Sequence, residues 1–216
     1  MKSGDKTARA ELDVLDKIQP ALEAGRSART VELTTDERAL ARNFFLLTTK
    51  PTIYAANVDE NTLASADENK MVQAVREIAT QEAAECVVIC AQLESELVEL
   101  PPAERLDYLK SLGVETSGVD QLIKSAYHLL GLMSFLTAGE KEVRAWTIPQ
   151  GTRAQNAAGT IHSDIERGFI RAEVISYDEL MSAGSYAVAR EKGLLRLEGK
   201  DYLMQEGDVV HFRFNV

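Results

Sequence analysis

The sequence is poor in cysteine, in positive charge and in long apolar runs, and each shortage removes a class of protein. Only two cysteines occur in 216 residues. Cys86 and Cys90 fall four apart in an expected strand, roughly 13 Å from one another at ~3.3 Å per residue, which a disulfide does not bridge. With no third or fourth soft ligand at metal spacing, both read as small core residues in a reducing compartment. No apolar stretch approaches the ~20 residues of a membrane span, and the start MKSGDKTARAE has no apolar signal core. The expectation is a soluble, cytoplasmic protein with no membrane partner. Twenty-four Lys plus Arg against 34 Asp plus Glu give a net charge of -10, which argues against indiscriminate attraction to nucleic acid or anionic lipid. The acidity is uneven, since residues 136–216 hold 10 basic and 12 acidic side chains and the remainder 14 and 22. A local basic face is compatible with that total. Internal repeats and low-complexity tracts are absent as well.

What is present is 45% apolar residues, enough for one large domain or two small ones with real cores. From Asp5 to Ala24, Ala8, Leu12, Leu15, Ile18 and Leu22 recur at helical spacing, with Gly25 as a stop and Pro20 as an expected kink. Thr34 and Glu37 form a capping-box pattern that opens a second helix, so residues 1–49 read as an antiparallel helical hairpin. Residues 50–132 change to α/β. A strand Thr52 to Val58 leads to a helix capped by Ser65, with Met71, Val72, Val75 and Ile78 as its buried stripe. The apolar strand Glu85 to Ala91 completes a βαβ unit. LPPAERLDYLKSLG and SGVDQLIKSAYHLLGLM read as helices. Two strands do not make a covered parallel sheet, so an open edge with self-association or reduced stability is expected. Residues 133–216 alternate differently: SFLTA, KEVRAWTI, a helix around TRAQNAAGTIH, the strand FIRAEVI, and two last strands before HFRFNV fit a compact α+β fold of the β-grasp type.

The strand stretch IYAANVDE, Ile53 to Glu60, ends in an amide and two carboxylates. A plain β-to-α turn accounts for such residues through local hydrogen bonds. A base-reading loop at the end of a nucleotide-binding strand accounts for them too. His162 and Asp164 lack a third ligand and read as structural, and neither His128 nor His211 is assigned a catalytic role. Arg144, Trp146, Arg167, Arg171, Lys200, His211 and Arg213 are candidates for one basic and aromatic sheet face of the kind RNA contact needs, with ordinary solvated strand positions as the alternative.

AGEKEVRAWTI, AAGTIHSDIERGFIRAEVISYDEL and LRLEGKDYLMQEGDVVHFRFNV resemble the TGS domain that closes the YchF or Obg-like ATPases, ribosome-associated members of the P-loop class. NFFLLTTKPTIYAANVDE and CVVICAQLESELVEL resemble the last part of the same family's nucleotide-binding domain, and residues 1–49 the returning portion of its coiled coil. The resemblance covers the whole chain and only the carboxyl-terminal part of the family's protein. It implies a fold of α/β plus α+β: helical hairpin, partial P-loop βαβ unit, TGS domain. It also implies that the class motif N-K-x-D stands here as Asn57, Val58, Asp59 and Glu60, a form that shifts preference from GTP binding toward ATP. By this carry-over Asn57, Val58 and Glu60 line the adenine pocket with Cys90 and Ala91 of the second base-side loop, where Cys90 and Gln92 depart from the class's S-A-K. ATP with Mg in the full-length family, a ribosome or rRNA partner, and a missing amino-terminal half of the nucleotide domain are implied in the same way. RNA contact through Arg144, Arg167, Arg171, Lys200 and Arg213 is expected from that resemblance and the milder charge of this half. No G-x-x-x-x-G-K-[ST] occurs; Gly4-Asp5-Lys6-Thr7 is an incomplete imitation, so hydrolysis by the chain alone is not expected. A stand-alone RNA- or protein-interaction module is the rival reading. A small-molecule enzyme on the βαβ unit is weakest, because no nucleophile or base accompanies it.

Overall fold

The computed structural model describes residues 6–139 and 142–215. The expected helix start at Asp5, the Gly4-Asp5 half of the phosphate-loop imitation, Lys141 and the final Val216 lie outside the described residues. The chain separates between Leu129 and Leu130 into two compact units.

The first unit opens with α1, Lys6–Glu23, and α2, Thr35–Arg42. α1 runs through Pro20 as one helix, and Gly25 ends it at φ 72. Its buried face differs from the expected stripe. Val14, Ile18 and Ala21 are buried, whereas Leu12, Leu15 and Leu22 are exposed, because the face that meets Ala28, Ala41, Leu40 and Phe44 is the one carrying Val14 and Ile18. α2 has the expected capping box, Thr34 Oγ1 accepting from Glu37 N and Glu37 Oε2 from Thr34 N, and Lys17 Nζ lies 2.6 Å from Glu37 Oε1. One ion pair fastens this helical part to the strands. Arg29 pairs with Glu82 through Nη2 and donates from Nε to the Glu82 carbonyl at 2.9 Å, while the Tyr54 hydroxyl donates to the same carboxylate at 2.8 Å.

β1, Ile53–Asn57, and β2, Glu85–Ile89, pair in parallel from Ile53 opposite Glu85 to Asn57 opposite Ile89. β1 has no second neighbour among the described residues. The crossover contains α3, Glu60–Leu63, and α4, Lys70–Gln81. Asn69, not Ser65, caps α4, accepting from Met71 N at 2.9 Å and Val72 N at 3.4 Å. Val72 and Ala79 are the buried face, and Met71 and Ile78 are exposed. The apolar tract read as strand to Ala91 stops at Ile89, and α5, Ala91–Glu99, follows at once. α6, Pro102–Ser111, and α7, Gly118–Leu129, complete the unit. Gly118 begins α7 against β2, donating from N to Glu94 Oε1 at 2.6 Å. A Cβ there would meet Ile89 Cα and Cγ2 at 3.0 Å, so absence of a side chain sets this close approach.

The second unit is a five-stranded sheet of β3, Leu132–Ala138; β4, Val143–Pro149; β5, Phe169–Ser176; β6, Arg196–Glu198; and β7, Asp208–Phe214, in the order β4-β3-β7-β5-β6. The first and last strands run parallel at the centre and the other pairings are antiparallel. Alternation divides the side chains. Met133, Phe135, Ile148, Ala172, Val174, Val210 and Phe212 pack on α8, Ala154–Ile161, through its alanines 154, 157 and 158. On the opposite face Ile175 and Val209 pack on α10, Tyr177–Ala183, and α11, Tyr186–Glu191. Neither of these last helices was expected, although Ser176 and Glu179 form a second capping box. The β6–β7 connection is fixed by buried Asp208, whose Oδ2 accepts from the Tyr202 hydroxyl and from Gln205 N, both at 2.9 Å, with Arg196 3.4 Å from Oδ1.

Gly118→Ala should lower stability by about 1–3 kcal/mol, the usual cost of overpacking, read from the urea midpoint; an unchanged midpoint would mean that β2 and α7 separate freely. Tyr202 sets an alkaline limit. Burial first, then its hydrogen bond to Asp208, raises the phenol to about 12, above the ordinary value of about 10. Its contribution is complete below the unfolded value and is lost as pH climbs through the folded one. Urea midpoints should fall across that window in the native protein and fall less in Tyr202→Phe.

Candidate functional site

At the carboxyl ends of β1 and β2 two loops meet. α5 begins at Ala91, so Ala91 N is one of the amides that a helix start leaves without an intrahelical partner. The residue before it, Cys90, makes no side-chain cap and is buried at 2% exposure among Leu93, Leu97 and Leu109. Asn57 supplies what Cys90 cannot: its Oδ1 accepts from Ala91 N at 3.0 Å. The strand end thereby caps the helix of the neighbouring loop, and Val58 N continues the ladder to the Ile89 carbonyl at 2.9 Å.

The two carboxylates after Val58 have different tasks. Asp59 caps α3, its Oδ1 accepting from Thr62 N at 2.9 Å and from Thr62 Oγ1 at 2.8 Å. That is the plain turn chemistry of the strand end. Glu60 turns the other way and accepts from the Tyr108 hydroxyl at 3.3 Å. The Glu60 charge, more than burial, holds the Tyr108 phenol above its ordinary range. Of the expected base-side residues, the structure joins Asn57, Val58 and Ala91 directly, sets Glu60 beside them on Tyr108, and turns the Cys90 side chain into the core. Gln92 bonds within its own helix to Glu96 at 3.1 Å. Tyr108 and Glu94 escaped the sequence reading, since their partners lie 48 and 24 residues away.

The expected basic and aromatic cluster does not share one face. Arg171 and Arg213 are direct partners across β5 and β7, with Glu173 and His211 the next pair. These four alternate with the core positions Ala172, Val174, Val210 and Phe212 and so lie opposite α8. Arg144 instead covers the Trp146 ring at 4.1 Å, and Trp146 stacks on Phe135 within the α8-side core. Arg167 ends the short helix α9, Ser163–Arg167, on Asp164 at 2.7 Å, and Lys200 sits in the β6–β7 connection. His162 Nδ1 accepts from Asp164 N at 3.1 Å, a helix cap, and no metal-binding cluster occurs among the described residues. His128 Nδ1 lies 2.7 Å from Glu85 Oε1.

Asn57→Ala should cost about 1 kcal/mol, one net hydrogen bond, and should speed hydrogen exchange of the Ala91 amide more than its neighbours. Asn57→Asp keeps an acceptor and should retain most of the protection; equal exchange in all three proteins would dissolve the link between the loops.

Comparison with known proteins places this geometry. The family model YchF-GTPase_C, described as a protein of unknown function (DUF933), matches residues 132–215. Over 215 residues and the whole chain, the sequence is 50% identical to the ribosome-binding ATPase YchF of Bacillus subtilis and 48% to that of Pasteurella multocida. It covers 59% and 58% of those proteins. The Schizosaccharomyces pombe YchF GTPase superimposes with a TM-score of 0.80 at 27% identity, over 99% of this chain and 57% of that one. A GTP-binding protein of Pyrococcus horikoshii shares the fold at a TM-score of 0.55 and 16% identity. Throughout its length the chain is similar to the carboxyl-terminal portion of the YchF ribosome-binding ATPases, and it spans about three fifths of the length of those relatives.

Proposed function

We propose that the chain carries the base-recognition side of an ATP site on its first unit and a ribosome-contacting TGS domain of β-grasp type on its second, with residues 1–49 as the returning arm of a coiled coil. The observation that carries the first part is the Asn57 link to Ala91. With its carbonyl engaged there, the Asn57 amide NH2 remains to donate to a purine ring nitrogen. Val58 N is spent on Ile89, which leaves the Val58 carbonyl to face the base. A carbonyl suits the exocyclic amine of adenine, a donor, and repels the guanine oxygen. Glu60, drawn to Tyr108, is not aligned to accept the two donors of a guanine edge. These features support ATP over GTP.

The phosphate cradle and the magnesium ligand belong, on this reading, to the part of the YchF proteins outside this chain, since no G-x-x-x-x-G-K-[ST] occurs in its 216 residues. When bound, magnesium neutralises phosphate charge during transfer. Base contacts without phosphate contacts hold nucleotide only in the millimolar range, about -4 kcal/mol, and the chain alone does not hydrolyse it. Ribosome binding is carried over from the names of the bacterial relatives, and a cytoplasmic location follows from it. A second reading is a stand-alone interaction module. It is favoured by the completeness of the second unit, which has a core on each sheet face and is matched by the family model without the first.

Titration of ATP and GTP into the isotopically labelled chain tests the base site. ATP should move the amide signals of Val58, Glu60 and Ala91 at millimolar concentration, GTP should move them less, and Asn57→Ala should abolish the difference. Identical responses to the two nucleotides, or shifts confined to other residues, would leave the module reading in place.

A further inference from the structure

The open sheet face of the second unit carries a cation cluster that none of the base-site chemistry uses. Register fixes its geometry: Arg171 lies opposite Arg213 and Glu173 opposite His211, so all four side chains leave the same face. Arg190 of α11 reaches that face, 3.5 Å from Glu173 Oε2. Arg213 donates from Nε and Nη2 to Glu173 Oε1 at 3.0 and 2.7 Å. Arg171 is exposed and makes no ion pair among the described residues. Two guanidiniums therefore hold one carboxylate, which is itself largely buried at 14% side-chain exposure, and Arg171 stands on the same face beside them. The unit as a whole is weakly acidic, so this excess is local. From Arg171 onward no Phe, Tyr or Trp occupies a strand position on this face of β5, β6 and β7; Phe212, and Trp146 on β4, belong to the opposite side.

We propose that the Arg171, Arg190 and Arg213 face is a docking surface for the phosphate backbone of RNA, and that Glu173 restrains it by occupying two of the three arginines until phosphate replaces the carboxylate. The inference rests on the ribosome-contact reading and specifies its surface. Guanidinium forks match phosphate oxygens as well as they match a carboxylate. With no Phe, Tyr or Trp beside the arginines and His211 as its one ring in these strand positions, the face contacts chiefly the backbone and reads bases little. Leu197, 60% exposed beside Glu173 on β6, is then a rim and not an anchor.

The test is binding of a fluorescein-labelled oligouridylate to the 216-residue chain by anisotropy, over a series of salt concentrations. Arg171→Gln, which breaks no ion pair among the described residues, should weaken binding severalfold and reduce the salt slope by about 0.7, one phosphate contact on a single strand. Glu173→Gln should tighten binding severalfold by releasing Arg190 and Arg213, a gain that mere loss of structure does not produce. Arg153→Gln, at the start of α8 on the other side of the sheet, should bind as the native protein does. RNA binding with both Arg171→Gln and Glu173→Gln unchanged would overturn this surface and leave ribosome contact standing elsewhere. Failure of the native chain to bind RNA even at low salt would remove both. Equal affinity for labelled polyglutamate would assign the face to an acidic protein and overturn the proposal.

Discussion

One hydrogen bond, from the Ala91 amide to the Asn57 side chain, decides what the end of the small parallel sheet is able to do. A parallel pair leaves its loops at one end, and two such loops wander independently unless something crosses between them. Here α5 starts without a cap of its own because Cys90 is committed to the core. The unsatisfied amide and the side chain that satisfies it come from different loops, so closing the helix and fixing the loop spacing are one event. Beside that link the Tyr108 hydroxyl holds the Glu60 carboxylate to one side.

The second unit solves a different problem. Its sheet is packed on both faces, but unequally. α8, with alanines at its contact positions, lies close along one face, whereas α10 and α11 pack on Ile175 and Val209 on the other. What remains open on β5 and β7 is free to carry charge at no cost to the core. Cross-strand like charges are unfavourable, and Arg171 opposite Arg213 is such a pair. Glu173 offsets it from the neighbouring position, shared by Arg213 and Arg190.

Which of these features were readable in advance depended on the range of the interaction that creates them. The Thr34–Glu37 capping box and the Gly25 stop are local and were legible. The βαβ unit was legible from its apolar strands, and Asn57 stood out because its spacing to Glu60 resembles a family motif. The cap of α4 was misplaced because Ser65 and Asn69 are equally good on local grounds, and the short 3-10 turn Ala66–Glu68 separates them. The α1 face was misjudged because Leu12 and Leu15 outweigh Val14 in apolar area, and only the position of the packing partner makes Val14 the inner residue. Tyr108 and Glu94 were illegible, since nothing local marks a side chain whose partner is a turn far along the chain. The basic cluster failed as a single face for a related reason. Alternation sorts residues within one strand, but register between strands decides which sets coincide, and that register placed Arg144 with Trp146 on the core side.

A net charge of -10 and a phosphate-seeking face coexist in this chain because charge acts over short distances in the cell. At physiological salt, fields are screened within about 8 Å, so a phosphate close to Arg171 responds mainly to the side chains of that face. The net acidity still has a consequence. It raises the cost of every weak, unaligned encounter with polyanions, while the aligned encounter gains from guanidiniums already held in place by Glu173. The same carboxylate that lowers the resting attraction also orders Arg213 and Arg190, which reduces the side-chain entropy lost when phosphate takes its place. Net charge thus works against indiscriminate binding, and the geometry around one glutamate preserves the specific contact.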